Sequence, residues 1–269
     1  LREVGDARTE GIYLGTMGMV EQERGRFAAA RQHLEAALEL ERAVGAVYIE
    51  MWALVQLGNV AFEEGTHLEA VRRYREALTL TSEVGDARFT HAQLGGALAR
   101  LGRVPDARAQ LEEARRLLVG DDRFDEALAL LEGQLDVAAA RVAMDGGDAD
   151  GAAARLAALA PLLAREPNAT GPGAEDARLA RRLLTKAIDD ARRPPDAAGM
   201  ADSARALSDL DALHVGRGGM WFRPPGGERV DLSRRGVLRR FLAVLTDLRL
   251  TAPDAALPLH DVVAAVWPG

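Results

Sequence analysis

The chain has 269 residues and a net charge of −7, and its hydrophobic content of 48% includes only 4% aromatic residues. It contains no cysteine, which excludes a disulfide framework and any thiolate metal site and fits a reducing, cytoplasmic location. No apolar run approaches the roughly 18–20 residues of a membrane-spanning helix, and no signal peptide is recognisable. Because the sequence starts at Leu1 rather than at a methionine, we expect it to be a piece of a longer protein.

The first 120 residues contain an internal repeat. Glu3–Arg8 recurs as Glu83–Arg88, and Gly5, Gly45 and Gly85 follow one another at intervals of 40 residues. Within each repeat, a first glycine is followed by a second glycine and then by two alanines, and the spacing between these four residues is identical every time. These places hold Gly18, Gly25, Ala30 and Ala37, then Gly58, Gly65, Ala70 and Ala77, then Gly95, Gly102, Ala107 and Ala114.

The spacing predicts two antiparallel helices per repeat, joined by a tight turn. The first glycine and the first alanine are small where the two helices cross, and the second glycine supplies the positive φ of the turn. Gly5, Gly45 and Gly85 are predicted to end one helix and allow the turn into the next repeat. Larger side chains are predicted to fill the space between the helices: Met17, Leu57 and Leu94 on the first helix, and Leu34, Tyr74 and Leu111 on the second.

This pattern resembles the tetratricopeptide repeat, which has a small residue at its position 8, glycine at 15, alanine at 20 and 27 and a bulky residue at 24. The repeats here span 37–40 residues rather than about 34, and the usual proline after the second helix is replaced by Arg42, Ser82 and Val119. The longer form resembles repeats of large bacterial signalling ATPases and transcription regulators. The resemblance implies a mainly α fold, an α–α superhelical solenoid, with repeats at 5–44, 45–84 and 85–119.

A degenerate fourth repeat is predicted over residues 120–165, which completes a solenoid of residues 1–165. Asp125–Met144 is predicted as its first helix and Ala152–Leu163 as its second, with Pro161 ending or kinking the latter. Residues 166–211 are predicted as a connecting segment, in which a loop at 166–173 precedes two helices at 174–192 and 197–210.

Residues 212–269 follow a different pattern. Three short strand-like runs at 212–215, 220–223 and 229–232 are separated by Gly- and Pro-rich turns. Ser233 is predicted to cap a helix whose apolar face holds Val237, Leu238, Phe241, Leu242, Leu245 and Leu248. A shorter helix is predicted within Leu259–Trp267. This order resembles the start of a response-regulator-type winged-helix domain, a small α+β module that is truncated here because its recognition helix and wing lie beyond residue 269.

Charge also separates the two regions. Residues 215–250 contain eight arginines against three acidic residues, whereas the chain as a whole is acidic. Such an asymmetry predicts two modules with different partners. The candidate phosphate contacts are Arg234, Arg235, Arg239 and Arg240, although the same residues are equally compatible with the solvated face of an amphipathic helix.

The resemblance to tetratricopeptide repeats implies a partner groove lined by positions 2, 5, 9 and 12 of each first helix. The groove candidates are Ile12, Met19, Trp52, Val55, Asn59, Phe62 and Phe89. Exposed aromatic residues would mark a binding surface, but Trp52 and Phe89 could instead pack between neighbouring repeats. An asparagine at position 9 also occurs in relatives that clamp a carboxylate, but position 5 lacks the basic clamp residue, so an apolar helix or an extended peptide is favoured.

No catalytic signature is present. Phosphate-binding loops, nucleophile elbows and metalloprotease motifs are absent from the sequence, and the five histidines show no metal-binding spacing. We therefore expect no enzymatic activity, cofactor, metal or membrane association. The expected function is a non-catalytic protein–protein interaction scaffold within a larger bacterial signalling or regulatory protein, which binds a peptide or another domain in the groove. The alternative is a fragment of a DNA-binding transcription regulator, which would bind nucleic acid only if its winged-helix module is complete in the parent protein.

Overall fold

The computed structural model of the chain describes residues 2–80, 88–165, 173–193, 212–216, 219–223 and 229–251. The chain divides into two units, 1–204 and 205–269, each of which is described by itself. The N-terminal unit is helical throughout its described residues. Its helices are α1 (Arg2–Glu23), α2 (Phe27–Val44), α3 (Val47–Glu64), α4 (His67–Thr79), α5 (Arg88–Arg100), α6 (Val104–Leu117), α7 (Asp125–Asp145), α8 (Ala149–Ala158), α9 (Ala160–Ala164) and α10 (Ala174–Ala191).

The predicted close crossing of the two helices in each repeat is confirmed. A Cβ atom added to Gly58 would lie 2.5 Å from the ring of Tyr74. The same addition at Gly18 or Gly95 would place it 2.6 Å from Leu34 or Leu111 respectively. In all three repeats the glycine is therefore paired with a buried side chain at the equivalent position of the second helix, and a larger residue in the glycine's place would collide with it.

The turns also follow the prediction. Gly25, Gly65 and Gly102 have φ values of 72°, 94° and 73°, a region that residues with a side chain rarely adopt. Gly45 ends α2 with a φ of 70°. The same role proposed for Gly5 is wrong, because Gly5 lies inside α1, and Gly85 lies outside the described residues.

Met17 is exposed, contrary to the prediction, although the equivalent Leu57 and Leu94 are buried. Leu57 belongs to an apolar cluster that α2 builds with Leu34 and Leu38, so the second helix of one repeat covers the first helix of the next. Among the described residues, α1 packs on α2 of its own repeat, and no helix of a preceding repeat covers α1 as α2 covers α3.

The segment predicted as a fourth repeat keeps the spacing of the first three. Ala140, Gly147, Ala152 and Leu159 follow one another at the same intervals as Gly58, Gly65, Ala70 and Ala77 of the second repeat. Gly147 has the positive φ of a turn glycine, 84°. The predicted second helix is broken into α8 and α9 at Leu159, two residues before Pro161. The predicted helix at 174–192 is observed as α10, whereas that at 197–210 lies outside the described residues.

The C-terminal unit contains the predicted small sheet. Strands β1 (His214–Val215), β2 (Trp221–Arg223) and β3 (Val230–Asp231) pair antiparallel in the order β1-β2-β3. Helix α11 (Gly236–Thr251) follows. Ser233 does not lie at the start of this helix, because its backbone amide and hydroxyl donate to Asp231 and the helix begins three residues later. The predicted helix within 259–267 lies outside the described residues.

None of the described helices combines the length and the apolar composition of a membrane span.

The crossing glycines lead to a stability prediction. We expect Gly58→Ala to lower the free energy of unfolding by roughly 1–2 kcal/mol, since overpacking against Tyr74 costs about 1–3 kcal/mol and helix propensity returns at most about 1 kcal/mol. Gly146→Ala is the matched control, because Gly146 has an ordinary φ of −81° and its added Cβ would have no neighbour closer than 3.4 Å. Urea unfolding followed by circular dichroism measures both, and equal midpoints for the two variants would contradict the crossing.

Candidate functional site

Two of the predicted groove residues line a common cleft. Met19 on α1 and Asn59 on α3 face α10 across an opening of about 320 Å³. The other residues around it are Thr16, Val20, Gln22, Glu23 and Arg24 from α1, Gln56 from α3, and Glu175, Asp176, Leu179 and Arg182 from α10. The cleft thus lies on the predicted groove side of the first two repeats, and one of its walls is a helix of the same chain.

Asn59 is part of a buried polar network. Its side-chain oxygen accepts hydrogen bonds from the Tyr74 hydroxyl and from the Gln93 amide, each at 2.8 Å, and its amide nitrogen donates to Gln56 at 3.2 Å. Burial raises the pKa of Tyr74 well above its usual value, so this hydroxyl remains a donor. The network accounts for an asparagine at position 9 without any ligand.

The aromatic groove candidates contact neighbouring repeats. Phe62 is 1% exposed, so the expectation that it is exposed is wrong. The rings of Phe62 and His67 meet edge to face with their centroids 5.5 Å apart. Phe62 also lies against Gly96, where an added Cβ atom would be 3.3 Å from the Phe62 ring. Phe89 stacks on Phe124 with ring centroids 5.1 Å apart. His67 belongs to the same repeat as Phe62, whereas the contacts of Phe62 with Gly96 and of Phe89 with Phe124 reach the next repeat.

Trp52 and the remaining candidates lie away from the cleft. The Trp52 ring lies against Gly15 of α1, where a larger residue would collide with it. Trp52 and Val55 are half-buried and pack on the apolar cluster between the first two repeats. Ile12 is exposed but is not among the residues that line the cleft. For Trp52 and Phe89, these positions agree with the alternative of packing between repeats.

Helix α10 binds across the ends of α1 and α3 through charged contacts that the sequence analysis missed. Arg182 donates to Glu63 at 2.5 and 3.2 Å, and it reaches Glu23 at 3.3–3.4 Å. Lys186 donates to the backbone carbonyl of Glu63, and the Glu63 carboxylate also accepts from Gln22 at 2.8 Å. Glu63 is buried and is the centre of these contacts.

The other end of α10 is held by arginines of α5 and α7. Arg100 donates to the Asp190 carboxylate at 2.7 Å and to the carbonyl of Ala187 at 3.4 Å. Arg141 donates to the carbonyl of Asp190 at 2.9 Å. Cations at the last carbonyls of a helix offset its partial negative charge, so these two arginines stabilise the C-terminal end of α10.

The three contact points for α10 occupy the same place in the repeat. Glu23, Glu63 and Arg100 each lie five residues after the crossing glycine of their repeat. Because the crossing fixes each first helix, these equivalent positions form a row along one side of the repeats. This row is acidic in the first two repeats and basic in the third.

The apolar side of α10 packs on α7. The buried residues of α10 are Ala174, Ala177, Leu179, Ala180, Leu183, Leu184, Ala187, Ile188 and Ala191, a spacing typical of an amphipathic helix. Leu184 lies against Gly133, where an added Cβ would meet it at 3.1 Å. The amphipathic pattern was visible in the sequence, but nothing in the sequence indicated which surface would bury it.

A second opening of about 420 Å³ lies where α5, α7 and α10 end. His67 and Gln134 are among its lining residues. Burial, with Arg100 and Lys186 nearby, lowers the pKa of His67 to about 3, so this imidazole is neutral near pH 7. The described residues contain no group of three or more His, Asp or Glu side chains placed to hold a metal ion.

The four arginines predicted as phosphate contacts differ in exposure. Arg234, Arg235 and Arg240 are exposed, whereas Arg239 is half-buried and donates to the sulfur of Met220 at 3.3 Å. Arg234 and Arg235 lie directly before α11.

Comparisons with known proteins identify the repeats. A tetratricopeptide repeat family model matches residues 8–83 and 49–118, which confirms tetratricopeptide repeats in this part of the chain. Such repeats are typically non-catalytic and generally mediate protein–protein interactions. Neither the search of curated proteins nor that of solved structures found a match.

Asp176 in the cleft makes the docking of α10 sensitive to pH. Burial, with a smaller effect of Glu175, raises the pKa of Asp176 to about 6, above the value of about 3.9 in an unfolded chain. The charged carboxylate therefore destabilises the fold above pH 6, and this cost disappears as the pH falls toward the unfolded value.

We expect Asp176→Asn to raise the free energy of unfolding by about 1–2 kcal/mol at pH 8 and to have little effect at pH 4. Urea unfolding at the two pH values measures this difference. Asp150→Asn serves as the control, because Asp150 is an exposed acid in the first turn of α8. A gain for Asp176→Asn that is the same at both pH values would refute this assignment.

Proposed function

We propose that this chain is a non-catalytic scaffold that binds a protein partner on the groove side of its first two repeats. The observation that carries the proposal is the cleft between α1, α3 and α10, which lies in a part of the chain that matches tetratricopeptide repeats. The long repeats with Gly-Asp junctions favour a parent protein of the bacterial signalling or regulatory class, acting in the cytoplasm.

The chemistry of the cleft suits a peptide or a helix. Met19 and Val20 offer apolar contact, while Gln56 and Thr16 offer hydrogen bonds. A mainly apolar surface with a few polar groups is typical of ligand sites, in which the polar groups fix orientation. Since Phe62 and Asn59 are engaged in packing and in the buried network, we assign the partner contacts to Met19 and its exposed or half-buried neighbours.

Photocrosslinking tests this assignment. We expect benzoylphenylalanine at Thr16 or at Gln56, introduced singly into the chain, to give the same covalent adduct with one cellular protein upon irradiation. Gln32→benzoylphenylalanine is the matched control, because Gln32 is an exposed glutamine of α2 that does not line the cleft. Equal adducts from Gln32 and Gln56 would count against the groove.

Nucleic-acid binding by the C-terminal unit is a second candidate. The observation that favours it is the exposed pair Arg234 and Arg235, which follows a three-stranded sheet and precedes α11 in the order expected at the start of a winged-helix domain. Arginine pairs contact phosphate through charge-assisted hydrogen bonds, and such binding weakens steeply with salt.

Fluorescence anisotropy with a labelled DNA duplex tests the second candidate. We expect Arg234→Glu with Arg235→Glu to weaken binding by about tenfold or more at low salt. The adjacent exposed pair Arg115 and Arg116 of α6 provides a matched double charge reversal that leaves binding unchanged. Absence of binding by the unsubstituted chain, or equal losses in both variants, would rule the candidate out.

A further inference from the structure

We infer that α10 occupies the groove as an internal ligand, and that the partner of the proposed groove is a helix with the charge pattern of α10. This inference rests on the proposed function, since it names the kind of partner that the same site binds. The partner helix carries basic residues at two positions four apart, an acidic residue four positions later, and an apolar side next to these charges.

Charge and spacing on α10 match those of the row. Arg182, Lys186 and Asp190 are four residues apart, so they lie close to one line along a helix. Arg182 forms ion pairs with Glu23 and Glu63, and Asp190 forms one with Arg100. Lys186 lies between them and donates to the backbone carbonyl of Glu63. A row that is acidic, acidic and basic therefore selects both the charge order and the direction of the helix that it binds.

Helix α10 contacts α7 in a different way from α1 and α3. On α7 it packs an apolar seam with Leu184 against Gly133. Toward α1 and α3 it makes charged contacts beside an open cleft. Arg182 is 37% exposed and Glu23 is 44% exposed, and ion pairs at this exposure contribute only about 0–1 kcal/mol each. A competing helix can therefore reach the groove from the side of α10 that faces α1 and α3.

Covalent attachment favours α10 over an external helix. Because α10 belongs to the same chain as the groove, its effective concentration there is on the order of millimolar. An external helix with the same contacts must compete with this internal occupant, and its apparent affinity is reduced by the fraction of time that α10 is bound. Weakening the contacts of α10 therefore increases the apparent affinity of the groove for an external helix.

Peptide binding to the full chain tests this competition. The probe is a fluorescein-labelled peptide of residues 173–193 with blocked ends, measured by anisotropy. We expect the chain with Arg182→Ala and Lys186→Ala to bind this peptide at least about tenfold more tightly than the unsubstituted chain. Asp189→Ala with Arg192→Ala, which removes an exposed ion pair from the same helix, is expected to leave the affinity unchanged.

Two further measurements separate competition from a loss of structure. Adding Glu63→Gln to the Arg182→Ala, Lys186→Ala chain removes the central negative charge of the groove, and peptide binding is then expected to fall by about tenfold or more. A peptide that itself carries Arg182→Ala and Lys186→Ala is expected to bind poorly to every chain, a result that does not depend on how any protein variant folds. Equal binding of the two peptides would overturn the inference.

Crosslinking to a chain with an unaltered α10 provides an independent readout. We expect the chain with benzoylphenylalanine at Gln56 to form an adduct with an excess of the unsubstituted peptide and none with the substituted peptide. Absence of any peptide adduct would overturn the inference. If the peptide gives no adduct but a cellular protein still does, the proposed groove is supported and its partner is not a helix of the α10 type.

Discussion

The close approach of the two helices in each repeat is the contact on which the rest of the N-terminal unit depends. Gly18, Gly58 and Gly95 bring the first helix against Leu34, Tyr74 and Leu111 of the second. Because each crossing is anchored at the same glycine, residues at a given distance from it recur at equivalent places in successive repeats. The row of Glu23, Glu63 and Arg100 is a consequence of this register rather than of any motif of its own.

The features that were predictable from the sequence are those encoded over short distances. The turn glycines, the paired helices and the buried Leu34, Tyr74 and Leu111 all follow from spacings within a single repeat. The contact between Arg182 and Glu63 joins residues 119 positions apart, and no repeat pattern encodes it. Likewise, position 9 identified Asn59, but only its bonds to Tyr74 and Gln93 show that it belongs to the interior.

The segment predicted as a fourth repeat provides the surface on which α10 packs. Ala140 of this segment takes the place of the crossing glycine, and Leu159 takes the place of the last alanine. Gly133 of α7, together with Leu159, forms the place into which Leu184 of α10 fits. The leucine that replaces the last alanine of the pattern thus contributes to the surface that buries α10.

Apolar and charged contacts of α10 have different roles, since the former provide stability and the latter provide selectivity. The seam on α7 removes apolar area from water, and this is the main source of stability. Ion pairs add little to stability when they are partly exposed, but like charges brought together are costly, so the acidic, acidic, basic row rejects helices of the wrong pattern. The burial of Glu63 strengthens this selection, because a buried carboxylate without its cation loses solvation that the single hydrogen bond from Gln22 does not replace. Affinity for a helix and discrimination between helices therefore come from different surfaces of the same groove.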